Sequence, residues 1–261
     1  MIQDLSRDEV DRIMNTLKKE KEALVRVRAL IPMQLHLFHQ ILVQQESLEA
    51  GQNEIGQWLD EAEALIASHS LAAGKEPVQA QLDKHKTFFS RTLYYKSMLE
   101  SKNKVFRSIV KSVDHNEGID TGDLKLRMAQ LNERFIRVTQ LAQQWELKLQ
   151  EGIRCWHNFR ENERIITEWL QKAEKLIAER HIDTKQTVES HKNFFEKVNE
   201  KWIQDLVNSA QDLRNCLPYE QHPPVDAAVG RLQAKWKVEY ITKGHAARNY
   251  SGFNGGSGNV K

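Results

Sequence analysis

A thirteen-residue stretch occurs twice, and that duplication constrains the fold more than any other feature. Ile55, Trp58, Leu59, Ala62, Glu63, Leu65, Ile66 and Ala67 return in register as Ile166, Trp169, Leu170, Ala173, Glu174, Leu176, Ile177 and Ala178, 111 residues later. The copy continues with His85, Lys86, Phe88 and Phe89 against His191, Lys192, Phe194 and Phe195, offset by 106. It ends with Leu131 to Phe135 against Leu232 to Trp236, offset by 101. A repeat of about this length is one supersecondary unit used twice. Three matching blocks separated by two shortenings predict three helices per unit, with the lost residues taken from the joints, since loops tolerate deletion better than packed helices.

The apolar pattern supports helices throughout. Phe38, Ile41, Gln45, Leu48, Gln52, Ile55, Leu59, Ala62 and Ile66 step by three and four, a heptad seam that favours a left-handed supercoil. Leu149, Gly152, Trp156, Phe159, Glu163, Ile166, Leu170, Ala173 and Ile177 repeat it. A second helix is expected to carry Val78, Leu82, His85, Phe89, Tyr95, Leu99, Phe106 and Val110 in the first unit. Its counterpart carries Val188, His191, Phe195, Val198, Trp202, Leu206 and Leu213. No Gly or Pro falls between Asp123 and Gln150, so the third helix of the first unit is expected to run straight into the second unit. The joints are expected at Ser68–Pro77, Asp114–Asp123, Arg180–Lys185 and Leu217–Pro224, with Asp123 as an N-cap and Asp226 or the prolines starting the last helix.

The expected architecture is all-α: tandem left-handed three-helix bundles joined by a continuous helix, residues 33–143 and 144–243. Residues 1–32 form a helical lead-in interrupted by Pro32, read as the last helix of a truncated preceding repeat. Ser6 and Glu9 supply a capping box at its start. Residues 244–261, with five glycines and no period, are expected to be disordered. A helix of about 33 residues spans ~50 Å, so two stacked repeats approach ~100 Å.

This pattern resembles the spectrin repeat. Trp58 and Trp169 match that family's first-helix Trp; Trp236 matches its third-helix aromatic, and Phe135 stands in the equivalent place. The resemblance covers residues 33–243. The His-Lys-x-Phe-Phe block and Gln-rich first helix look most like the repeats of nesprins, giant linkers of the nuclear envelope, with spectrin- and dystrophin-like cortical rods as alternatives. The resemblance implies a non-catalytic rod segment and docking scaffold, with actin-associated cytoskeletal partners and a place in the cytoplasm at the outer nuclear envelope.

Candidate site residues are few. Trp58, Leu59, His85, Phe89, Phe135, Trp169, Leu170, His191, Phe195, Trp202 and Trp236 sit on apolar stripes and are expected to be core. A partner face is expected around Arg91, Tyr94, Lys96 and Met98, because Tyr94 falls off the seam beside basic residues. His85 and His191 belong to different repeats, and nothing completes a ligand set around His36 and His39, so no metal is expected. Cys155 and Cys216 lie on different helices of one unit; a reducing, intracellular setting is the plain reading, and a bridge between them stays open. The glycines at 252–258 lack the Lys-Ser/Thr pair of a phosphate loop, and no Ser, His and Asp converge, so neither an enzyme nor a cofactor is expected.

Charge and hydropathy exclude further classes. A net charge of +2 gives no reason to expect a nucleic-acid partner. It also weighs against a membrane-surface-binding helical dimer, which needs a basic stripe. No apolar run approaches the ~20 residues of a membrane span. The start of the chain has no basic-then-apolar leader, so no secretory signal is expected. A monomer is expected, with an obligate coiled-coil dimer as the competitor.

Overall fold

The computed structural model describes residues 6–72, 74–113, 121–178, 185–199 and 201–238, without the side chains of 185–188 and 191. Seven α-helices and one 3₁₀ turn account for the described elements, and no strand occurs among them. They are α1 Arg7–Ala67, α2 Lys75–Phe89, α3 Thr92–Val113, α4 Gly122–Ala178, α5 Lys185–Glu196, α6 Lys201–Cys216 and α7 His222–Trp236, with the 3₁₀ turn Tyr219–Gln221 before α7. The all-α expectation holds, as does the uninterrupted α4 of 57 residues. The Gly-rich tail and much of the 114–123 and 180–185 joints lie outside the described residues.

Several boundaries differ from the sequence reading. Pro32 does not end a lead-in: α1 runs 61 residues with Pro32 inside it. A proline leaves the carbonyl four residues earlier without its helical partner. Here that residue is Arg28, which is exposed, so the unpaired carbonyl is not in the core. The capping box does form, with the Ser6 amide donating to Glu9 Oε2 at 2.9 Å and the Glu9 amide to Ser6 Oγ at 3.4 Å. Asp123 is not a cap but a first-turn residue of α4, where it meets Arg127 at 2.6 Å. Pro77 lies in the first turn of α2, and Pro223 and Pro224 open α7, where a missing N–H costs little.

The second helix of each repeat is two helices, not one. In the first repeat the break is Ser90–Arg91; in the second it follows Glu196. Asn199 restarts α6: its side chain accepts the Lys201 amide at 3.0 Å, and its carbonyl accepts the Trp202 amide at 3.0 Å. The shortenings of the second copy fall largely in helices. Lys75 lies ten residues before His85, whereas Lys185 lies six before His191; α3 has 22 residues and α6 has 16.

The chain packs as two compact units that cut across the sequence repeats. Unit 1 is Met1–Glu63 with Ser90–Thr139; unit 2 is Ala64–Phe89 with Gln140–Lys261. The unit 1 core holds Ile41, Leu48, Ile109, Val113 and Met128, drawn from α1, α3 and α4. Between α3 and α4, the part-buried Asn103 and Asn132 exchange amide hydrogen bonds of 2.8 and 3.0 Å. Along α1, Phe38 is exposed, as are Ile13, Leu17, Leu24 and Val27. The unit 2 core mixes both repeats: Val78 and Leu82 of α2 pack with Trp156, Phe159, Ile166, Leu206 and Leu213.

Candidate functional site

In unit 1, an aromatic layer ties three helices. Trp58 of α1 stacks on Tyr95 of α3 at 4.6 Å and lies against Phe135 of α4 at 5.6 Å. Trp58, Leu59 and Phe135 are all buried. Beside the layer, Arg134 donates to both oxygens of Glu63 at 3.0 and 2.7 Å and also reaches Asp60. That forked contact lowers the Glu63 pKa, and the two carboxylates raise that of Arg134.

Unit 2 has its own version. Trp169 lies 4.7 Å from Trp236, stacks on Phe194 at 5.6 Å and meets Phe195 edge-on at 6.0 Å. Lys235 reaches Glu174 at 3.2 Å. Leu170, Phe195 and Trp236 are buried, while Trp202 is half-buried, edge-on to Trp236 at 6.3 Å. The His191 side chain lies outside the described residues.

The surface expected to face a partner sits at the start of α3. Tyr94 is 54% exposed, and its hydroxyl donates to Glu54 at 3.3 Å. The Glu54 charge raises the phenol pKa, keeping it a donor. The Arg91 guanidinium lies 5.5 Å from the Tyr95 ring centre, a cation–π contact. Lys96 is exposed, but Met98 is half-buried, so it offers less surface than its position suggested. Leu93, not singled out from the sequence, is 75% exposed beside Tyr94. It falls off the same seam, which was the available signal.

Sequence reasoning missed a second cluster, in unit 2. The joint after α1 folds back on α2 and α4. Gln81 clamps Ser70 through two hydrogen bonds of 2.7 and 2.9 Å, and Trp156 Nε1 donates to the Leu71 carbonyl at 2.9 Å. The Leu71 side chain lies over Gly152, where a Cβ would come within 2.9 Å of it, so a larger residue there would make the end of the Leu71 side chain shift. His69 and His85 form a buried pair with Nε2 to Nδ1 at 2.9 Å. The Ala142 backbone beside His85 favours its charged form and so works against the effect of burial. Phe89, half-buried, tilts against His85 at 4.5 Å. Burial lowers both imidazole pKa values; Lys84 adds to this at His69, while Glu146 opposes it at His85.

A cavity of about 430 Å³ opens beside this cluster, lined by His69, Leu71, Trp145, Lys148, Cys216 and Pro218 among others. Cys155 and Cys216 are free thiols with Sγ atoms 3.2 Å apart. Nothing in either cluster joins a nucleophile, a base and an oxyanion donor.

The sequence matches the spectrin repeat family over residues 44–151. Muscle-specific protein 300 kDa of Drosophila melanogaster is 55% identical over 237 residues, 91% of this chain. The chain spans only 2% of that relative's length. Among the described residues, no helix is long and apolar enough to cross a membrane.

Proposed function

We propose that this chain is a load-bearing and protein-docking segment of a giant linker that connects the nuclear envelope to the actin cytoskeleton. The observation that carries the load-bearing part is α4, a single 57-residue helix containing the third-helix Phe135 of the first repeat and the first-helix Trp169 of the second. Tension along α4 passes through one ladder of backbone hydrogen bonds, with no loop to give way between repeats. The His-Lys-x-Phe-Phe blocks and the 55% identity to a far larger muscle protein support the giant-linker part.

In this reading, residues 33–143 and 144–243 are successive repeats, and the second is held by Trp169, Trp236, Glu174 and Lys235. Residues 1–32 supply the third helix of a preceding repeat; Ile13, Leu17 and Leu24, all exposed here, would be its core positions. Arg91, Leu93, Tyr94 and Lys96 form the docking face for an actin-associated protein of the cytoplasm. The segment is a monomer and needs no cofactor.

Stretching the chain by its ends in an optical trap tests the load-bearing role. Cooperative rips that return on relaxation are expected; a smooth, hysteresis-free extension would rule the role out. Co-sedimentation with filamentous actin, with and without cytoskeletal extract, tests the docking face: Tyr94→Ala with Leu93→Ala should reduce the pelleted fraction. Sedimentation equilibrium at micromolar concentration should return the monomer mass.

A further inference from the structure

We propose that Cys155 and Cys216 are a thiol-modification site, at which a low-molecular-weight disulfide entering the unit 2 cavity oxidises the pair and staples α4 to α6. The two Sγ atoms already stand 3.2 Å apart, and a disulfide needs ~2.05 Å, so about an ångström of side-chain motion closes the bond. The two thiols are not alike. Cys216, near the end of α6, is half-buried and lines the cavity of about 430 Å³. Cys155 is buried on α4, with its Sγ 3.7 Å from Glu151 Oε1. Burial first, then its hydrogen bond with Cys216, pushes the Cys155 thiol up to about 12.

That asymmetry sets the order of events. Cys216 meets the reagent first: its sulfur attacks one sulfur of R–S–S–R, forming Cys216–S–S–R, and its proton leaves with the departing RS⁻ as R–SH. Cys155 then attacks the Cys216 sulfur, displacing the second RS⁻, which takes the Cys155 proton. Two thiols are oxidised, one small disulfide is reduced to two thiols, and no other oxidant is needed. Because Cys155 forms little thiolate, the second step is expected to take minutes to hours.

The bond formation stands on the sulfur spacing and the unequal exposure of the two thiols; one consequence rests on the load-bearing reading above. The cysteines are 61 residues apart, and a stretched residue spans ~3.3–3.6 Å, so the staple withholds roughly 200 Å of extension.

The test uses the full chain as it is. It is incubated natively with excess oxidised glutathione, then mapped by mass spectrometry without reduction. A linked pair of peptides containing Cys155 and Cys216, with a mass loss of about 2 Da, is expected. The melting temperature should rise by roughly 8–16 °C and return on reduction, and Cys155→Ala and Cys216→Ala chains should show no such rise. Two free thiols after a day, under conditions where the urea-unfolded chain oxidises, would overturn the proposal; so would a glutathione adduct that stays on Cys216. In the optical trap, the oxidised chain should lose roughly 200 Å of unfolding length. Linked peptides with no change in extension would leave the modification site standing and count against the load-bearing reading alone.

Discussion

The two aromatic layers solve one problem with different chemistry. In unit 1, Trp58 meets Phe135 at 5.6 Å, and the neighbouring ion pair is a forked Arg134–Glu63 contact. In unit 2, the equivalent positions hold Trp169 against Trp236 at 4.7 Å, and Lys235 touches Glu174 through one bond of 3.2 Å. The smaller third-helix ring goes with the directional, bidentate cation; the larger ring goes with the point charge. Register between first and third helices is thus set more by hydrogen-bond geometry in unit 1 and more by buried ring area in unit 2.

The largest effects come from removing the first-helix indoles. Trp58→Ala and Trp169→Ala should each cost ~3–5 kcal/mol in urea denaturation. The equivalence of the layers requires the two costs to agree within ~1 kcal/mol. A cost below ~1 kcal/mol at either site would mean that the ring is not a core element there.

Exchanging the third-helix rings sharpens the contrast. Phe135→Trp inserts extra ring atoms into a layer already packed against Trp58 and should cost ~1–3 kcal/mol. Trp236→Phe leaves a small void beside Trp169 and Trp202 and should cost ~1–2 kcal/mol. If either exchange proves stabilising, ring size and cation type are not matched within a layer.

A pH titration separates the units by a different route. Unit 2 buries His69 and His85, whereas His36 and His39 of unit 1 are exposed. Both buried imidazoles have folded pKa values below their ordinary 6.5, so between those values and 6.5 the unfolded chain binds more protons. Stability is therefore full above pH 6.5 and falls as the pH drops toward the folded values. The melting temperature should decrease by a few degrees, on the order of 2–6 °C, between pH 7 and pH 5. His69→Gln with His85→Asn should flatten that slope; an unchanged slope would assign it to carboxylates elsewhere.

What was legible in the sequence followed from local spacing. The Trp blocks and the unbroken α4 rest on short-range period and in-register duplication. The break at Ser90–Arg91 contains neither Gly nor Pro. Its one trace was a six-residue step from Phe89 to Tyr95, where the seam calls for seven. The joint cluster left less. That Leu71 sits on Gly152, or Cys155 beside Cys216, depends on contacts between residues 61 or more apart, and no periodicity encodes those. Gly152 on a seam of mostly large apolar residues was the sole hint of a close approach.

The smallest effects, and the most specific to the comparison, lie in the ion pairs. Arg134 is 28% exposed and its partner Glu63 41%, against 61% and 45% for Lys235 and Glu174. Solvent screens the second pair more, and it has one bond where the first has two. Arg134→Lys should therefore cost ~0.5–1 kcal/mol and Lys235→Ala no more than ~0.5 kcal/mol. The Arg134→Lys loss should shrink in 1 M salt, because the bidentate geometry is partly electrostatic. Lys235→Arg provides the converse: if a fork at this position can add to a layer already fixed by Trp236, stability rises by ~0.3–0.5 kcal/mol. If it does not rise while Arg134→Lys still costs stability, the fork works only beside the smaller ring, and the two layers are alternatives, not one design with interchangeable parts.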